Sequence, residues 1–156
     1  MLSSLHIIYT TSSGNTEHVV NELCMLLAKK AKKVRVTKQY AEEAQPNDLE
    51  RGDLLILACG SWNTGGIEGQ LQPRMFEFLN SQAHDADLKG KPVAVIGLGD
   101  ARYLYTARAG EHLQQFVETH NGKLVVGLLK VVNDPYGQEK KIQAWGEKLL
   151  TAIKSI

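Results

Sequence analysis

Cysteine is scarce in this chain: Cys24 and Cys59 are the only two among 156 residues, so no disulfide framework is available. Each sits in an apolar segment and reads as a small buried hydrophobe, not a reactive thiol. Long apolar runs are also missing. The longest, Leu54 to Cys59, is far too short to cross a bilayer. Residues Met1 to His6 show no basic segment leading into an apolar one, so no secretory signal is visible and a cytoplasmic location is expected. Charge of one sign is absent too. Eighteen Lys and Arg face 17 Asp and Glu, for a net +1, which removes any bulk signal for a polyanionic partner. The local cluster Lys29, Lys30, Lys32, Lys33, Arg35 and Lys38 lacks the interleaved aromatics of a nucleic-acid platform. It reads as a solvated face with cations well placed at a helix C-terminus.

Several motifs are missing as well. No G-x-x-x-x-G-K-[ST] occurs, which excludes a P-loop nucleotidase. No G-x-G-x-x-G follows the first strand candidate, which argues against a dinucleotide site. The third strand candidate ends in Cys59-Gly60, not in the acid that a phosphoacceptor domain of similar layout needs. His6, His18, His84, His112 and His120 lack metal-ligand spacing, and no nucleophile–base pair is legible.

What remains is a globular composition, 43% apolar and 22% charged, long enough for one domain over residues 1–156. Apolar runs rich in Val, Ile and Leu predict strands at Leu5–Thr10, Val34–Lys38, Asp53–Cys59, Pro92–Leu98 and Lys123–Val132. All but the second show little polar alternation, as expected of parallel strands covered on both faces. Helical spacing lies between them. Val19, Val20, Leu23, Leu26, Leu27 and Ala31 share one face. Met75, Phe76 and Leu79 point inward from a helix around Leu71–Leu79. Ala109, Leu113, Phe116, Val117 and His120 form another face, ending at Gly122 as the C′ residue. Ile142, Trp145, Leu149 and Ile153 form the last. Ala41–Arg51 reads as a turn and a short helix. Strands alternating with helices predict an α/β fold with a three-layer, doubly wound, five-stranded parallel sheet. Such sheets bind ligands beyond the carboxyl ends of their strands.

Three loops fall at that edge. Thr11-Ser12-Ser13-Gly14-Asn15-Thr16 joins the first strand to the first helix. Hydroxyls, free backbone N–H groups and a helix N-terminus converge there, which suits an anion held by neutral donors. The alternative is an ordinary turn with Ser13 or Thr16 as N-cap. The second loop, Gly60-Ser61-Trp62-Asn63-Thr64-Gly65-Gly66-Ile67-Glu68-Gly69, places a tryptophan among residues that tolerate positive φ. That tryptophan either folds back onto the core or forms a flat wall for a planar ligand. The third, Leu98-Gly99-Asp100-Ala101-Arg102-Tyr103-Leu104-Tyr105, offers Tyr103 as a second wall, with Asp100 ordering the loop. Tyr105 fits equally well against the fourth helix.

Taken in order at the right strand ends, these residues resemble the flavodoxins, of the short-chain kind, over essentially the whole chain. Thr11, Ser12, Ser13, Asn15 and Thr16, with Gly14 between them, match the family's phosphate loop. Ser61, Trp62 and Asn63, continuing into Thr64 and Gly65, match its first flavin loop. Leu98, Gly99, Asp100 and Tyr103 match its second. The stretch Gly127–Val132 runs into Asn133-Asp134-Pro135 without the long insertion of long-chain members. The resemblance implies strand order 2-1-3-4-5 and non-covalent FMN. It implies a low-potential, one-electron carrier cycling through semiquinone and hydroquinone, with the Asn63 carbonyl as acceptor for the flavin N5–H. No catalysis of its own is expected. Redox partner proteins, a reductase donor and an acceptor enzyme, are implied, with no nucleic acid, no membrane and a monomeric state. An FMN-dependent reductase, or an accessory donor to one enzyme, stays open. The near-neutral charge departs from the acidic family pattern. Arg102, Arg74 and Arg108 are either solvated or paired with Glu68 or Asp100, or else Arg102, beside the flavin edge, eases hydroquinone formation and favours less basic partners.

Overall fold

The computed structural model describes residues 2–101 and 108–156. The expected doubly wound sheet is present. Its parallel strands are β1 (Ser4–Tyr9), β2 (Arg35–Tyr40), β3 (Leu54–Thr64) and β5 (Pro92–Gly99), followed by two short segments, β6 (Lys123–Leu124) and β7 (Leu129–Val132). The order is β2-β1-β3-β5-β6, with β7 also paired to β5. That is the 2-1-3-4-5 arrangement, since β6 and β7 share the fifth position.

Alternation along each strand builds the three layers. Leu5, Ile7 and Tyr9 of β1, Leu54, Ile56 and Ala58 of β3, and Ala94, Ile96 and Leu98 of β5 face one way. They meet Val19, Val20, Leu23 and Leu27 of α1 (Asn15–Lys30) and Ile142, Trp145 and Leu149 of α4 (Glu139–Ile153). The intervening Leu55, Leu57, Val93 and Val95 face Met75 of α2 (Pro73–Glu77) and Leu113 and Val117 of α3 (Ala109–Thr119). Because the side-chain period is two, one continuous apolar strand fills both cores. Small residues let α1 and α4 approach closely. A Cβ on Gly146 would lie 2.3 Å from Leu26 Cδ2.

Four local expectations are corrected. First, β3 runs on to Thr64 and turns back through β4 (Ile67–Leu71), so the glycine-rich second loop is largely an antiparallel hairpin. Gly65 and Gly66 supply the positive φ at its tip, at 64° and 80°. Positive φ at both central residues matches the strand twist. Second, Leu71 belongs to β4. The following helix begins at Pro73 and passes into a π turn over Phe78–Gln82. Third, the fifth strand breaks in the middle, where Trp145 Nε1 donates 2.6 Å to the Gly127 carbonyl. Fourth, Asn121, with φ 65°, takes the left-handed position after α3, and Gly122 is the next residue. Gly122 N donates to Val117 O at 2.8 Å, closing the helix end. A Cβ on Gly122 would lie 2.7 Å from both Leu88 Cδ1 and Val117 Cγ1. Glycine is there for close packing.

Candidate functional site

The carboxyl ends of β1, β3, β5 and β7 open onto a cavity of about 560 Å³. It lies within the roughly 300–1,000 Å³ of small-molecule sites. Residues 10–13, Asn15 and Thr16 line one side. Gly60, Ser61, Trp62 and Gln72 line the second, Leu98, Gly99 and Asp100 the third, and Asn133, Asp134 and Tyr136 the last. Among the described residues no Lys or Arg lines it.

The loop after β1 is folded around its own hydroxyls. Gly14 is the residue before α1, at φ 91°, and no side chain caps the helix. Neither Ser13 nor Thr16 takes the N-cap place. The Thr11 hydroxyl instead accepts a 3.0 Å hydrogen bond from Gly14 N. An uncapped α1 start thus keeps its backbone donors and partial positive charge for an anion. The Thr10 hydroxyl is fully buried beside this loop, and among the described residues it has no hydrogen-bond partner. A buried hydroxyl without a partner is destabilising. That hydroxyl is closed off from the cavity itself, so it is a local cost and not a ligand contact. The set of donors is neutral and hydroxylic, which suits a phosphate monoester.

Glu17 follows in the first turn of α1 and accepts from Tyr9 Oη at 2.9 Å and from Tyr40 Oη at 2.8 Å. These two phenols hold its carboxyl below the usual carboxylate range. Burial and the Glu17 contact push the Tyr9 phenol well above its ordinary value. The Tyr9 and Tyr40 rings pack with centroids 5.0 Å apart, which ties the start of α1 to the edge of the sheet.

Opposite the anion loop, Trp62 stands 47% exposed. It does not fold into the core. It pairs in register with Gln70 of β4 and flanks a bulge at Asn63. Asn63 lies between Trp62 and Thr64, outside the positive-φ residues and outside the cavity lining. Thr64 and Gly65 lie farther along the hairpin. The Thr64 hydroxyl donates 2.6 Å to Leu71 O, closing the hairpin. Ser61 uses its hydroxyl structurally, donating to Leu98 O at 2.8 Å and accepting from Ala109 N at 3.0 Å. It therefore joins β3, β5 and the start of α3 beneath the cavity. Tyr103, Tyr105 and Arg102 lie outside the described residues. Arg74 pairs with Glu42 at 2.6 Å, not with Glu68 or Asp100, and Arg108 lies 3.9 Å from Glu111.

Several lining residues escaped the sequence reading. Asn133, in the left-handed region at φ 69°, accepts from Ala101 N at 2.8 Å, while its own N–H donates to Gly99 O at 2.7 Å. The loop after β7 thereby braces the loop after β5. Tyr136 stacks on His18 with centroids 3.9 Å apart and planes at 18°, and His18 Nε2 lies 2.9 Å from Glu139 Oε2. An aromatic inside the turn-rich stretch Asn133-Asp134-Pro135-Tyr136-Gly137, at a strand end, was the available signal. Nothing local marks Gln72 or Thr10.

Cys59 is buried with its thiol pushed up to about 12 by desolvation, and Cys24 is raised for the same reason. Both shifts disfavour the thiolate, the nucleophilic form. Among the described residues no group of His, Cys, Asp or Glu is arranged to hold a metal. None of their helices is long and apolar enough to cross a membrane.

Parallel strands wound on both faces, with an uncharged hydroxyl loop and an exposed aromatic at their carboxyl ends, define a protein of the doubly wound α/β class. The Flavodoxin family model matches residues 7–145, and the chain belongs to the flavodoxin family. At 156 residues it has short-chain size. A flavodoxin of Maridesulfovibrio salexigens is 29% identical over 153 residues, covering 97% of this chain and 100% of that one. A flavodoxin of Nitratidesulfovibrio vulgaris is 25% identical over 152 residues, covering 97% and 100%. Oxidised Flavodoxin 2 from Bacillus cereus superposes with TM-score 0.85 at 25% identity, over 95% of this chain and 98% of that chain. Flavodoxins bind FMN and are electron carriers, not enzymes.

Proposed function

We propose that this chain is a low-potential, one-electron carrier that holds FMN non-covalently in the cavity at the carboxyl ends of β1, β3 and β5. It passes electrons from a reductase to an acceptor enzyme. In this reading residues 1–156 form one domain that acts as a cytoplasmic monomer. The observation that carries the reading is the uncapped start of α1 on a cavity wall of hydroxyl residues, with no Lys or Arg among the described lining residues. Its backbone donors and partial positive charge suit a phosphate.

The flavin supplies the redox chemistry when bound. The protein binds, orients and tunes. Thr11, Ser12, Ser13, Gly14, Asn15 and Thr16 would hold the phosphate through hydroxyls and backbone N–H groups. Trp62 would cover one face of the ring, with Asn63 at the bulge beside it, and Leu98, Gly99 and Asp100 would bring backbone close to the ring edge. Tyr103 is proposed as the second wall on the strength of the sequence alone. Asp100 and Asp134 are the charged residues that line the described cavity. Negative charge and an apolar wall both disfavour adding electrons, so they lower the potential.

The test is stepwise anaerobic reduction of the FMN-loaded protein, followed by optical and electron paramagnetic resonance spectra. A radical signal at half-reduction, with the second step, to the hydroquinone, below that of free FMN, is expected. A single two-electron step, coupled to direct oxidation of a nicotinamide by the protein alone, contradicts the reading.

A further inference from the structure

Gln72 is 6% exposed and every polar group it owns is engaged. Its backbone N–H donates to Gly60 O at 3.1 Å, and its carbonyl accepts from Phe76 N at 2.9 Å. Its side-chain Oε1 accepts from Arg74 N at 2.7 Å and from Met75 N at 3.4 Å, capping α2. Those two backbone donors fix which way the amide points, because an NH₂ group there would face donors with a donor. The Nε2 end is therefore the one that reaches the anion loop. It lies 3.1 Å from Ser12 Oγ.

An amide nitrogen can only donate, so Ser12 Oγ is the acceptor. A hydroxyl has a single proton, and here that proton cannot point at Gln72. It is left for another acceptor. The Thr11 hydroxyl is placed in the same way, since its oxygen accepts from Gly14 N and its proton is also left over. Two successive hydroxyls thus have an acceptor side occupied by protein donors. We propose that Gln72 is a positioning residue for the anion loop: by donating to Ser12 it sets the direction of that hydroxyl, so Ser12 offers its proton to a bound phosphate monoester. This rests on the FMN reading of the cavity. A loop of preset donors needs no reorganisation when a dianion arrives, and it disfavours any ligand group that must itself donate. Gln72 also carries the coupling to the hairpin, because its backbone bond to Gly60 ties the same residue to the strand that bears Trp62.

The test uses the full chain and compares affinities for FMN and riboflavin, which differ only in the phosphate. Gln72→Glu keeps an oxygen for the α2 cap but presents an acceptor to Ser12, which turns the hydroxyl proton inward. FMN affinity falls about tenfold or more in this variant, as expected for a lost charge-assisted hydrogen bond. Riboflavin affinity stays within about twofold. In a Ser12→Ala background the same change costs less than about threefold, because the group it acts through is gone. That non-additivity separates positioning from simple repulsion between the introduced carboxylate and the phosphate. Gln72→Met, with neither cap nor donor, frees the Ser12 hydroxyl without turning it inward, gives a smaller but still selective loss of FMN, and answers the question if the charged variant folds poorly. The proposal is overturned if either change weakens FMN and riboflavin alike, or if Gln72→Glu costs as much without the Ser12 hydroxyl as with it. Failure of the native chain to bind FMN overturns the underlying functional reading instead.

Discussion

Replacing Thr10 by valine separates stability from binding at one atom. The Thr10 hydroxyl is fully buried and without a partner among the described residues. Threonine and valine have the same shape and the same β-branched stiffness, so the end of β1 keeps its backbone. Leaving a buried hydroxyl unsatisfied costs about 1–3 kcal/mol, and an apolar group of equal shape removes that cost. The FMN-free variant is therefore expected to be more stable than the native chain by about 1 kcal/mol or more. For a chain of this size that raises Tm by about 2–4 °C per kcal/mol. The hydroxyl is closed off from the cavity, so the FMN complex gains stability by the same amount. FMN affinity therefore stays within about twofold. Thermal unfolding monitored by circular dichroism gives the first quantity, and titration with quenching of flavin fluorescence gives the second. Lower stability of the FMN-free variant refutes the reasoning, because the hydroxyl must then already be bonded. A loss of FMN affinity of about tenfold refutes it as well.

Three other expectations rest on separate parts of the structure. Trp62→Ala removes the exposed wall: its 47% exposed area is roughly 120 Å² of a side chain of about 250 Å². Covering half of that is worth about 1.5 kcal/mol, with about 1 kcal/mol more from stacking, so FMN and riboflavin both bind about fiftyfold more weakly in calorimetric titrations. Gly52→Ala forces a side chain into the left-handed region at φ 76°, with its Cβ 2.9 Å from His6 N. A loss of about 2 kcal/mol is expected in urea unfolding, far from the cavity and without effect on FMN affinity once folded. Tyr40→Phe removes one of the two phenols that hold the Glu17 carboxyl below its ordinary 4.5. A carboxyl with a depressed folded value stabilises above that pH and loses the contribution as pH falls beneath it. The native Tm therefore drops as pH falls below about 4.5, and the variant drops less steeply; parallel curves contradict this role for Glu17.

The fold was legible because the strands of this sheet are apolar on both faces. Leu54–Cys59 and Val93–Leu98 cannot be placed at a solvent edge, and helices of matching periodicity lie between such runs. Loop positions then follow from the strand ends. The anion loop was legible for the same reason, as hydroxyl residues directly between a strand and a helix. The β3–β4 hairpin was harder. Gly60, Gly65, Gly66 and Gly69 read as loop, yet Gly65-Gly66 is a tight hairpin turn between short alternating segments. The ends of elements were misplaced where a tertiary contact decides. Trp145 takes the Gly127 carbonyl and interrupts the last strand. Leu88 and Val117 crowd Gly122, while Asn121 takes the positive φ. Gln72 and Tyr136 reach the cavity from segments distant in sequence, and no local pattern announces a side chain that acts across 60 residues, as Gln72 does on Ser12.

A phosphate gripped by uncharged donors at the start of α1 underlies every functional step above, and the ratio of riboflavin to FMN dissociation constants for the purified native chain tests it most directly. A ratio of about a hundred or more, at one FMN per chain, is predicted. Equal binding of the two flavins, or no binding of either, contradicts it.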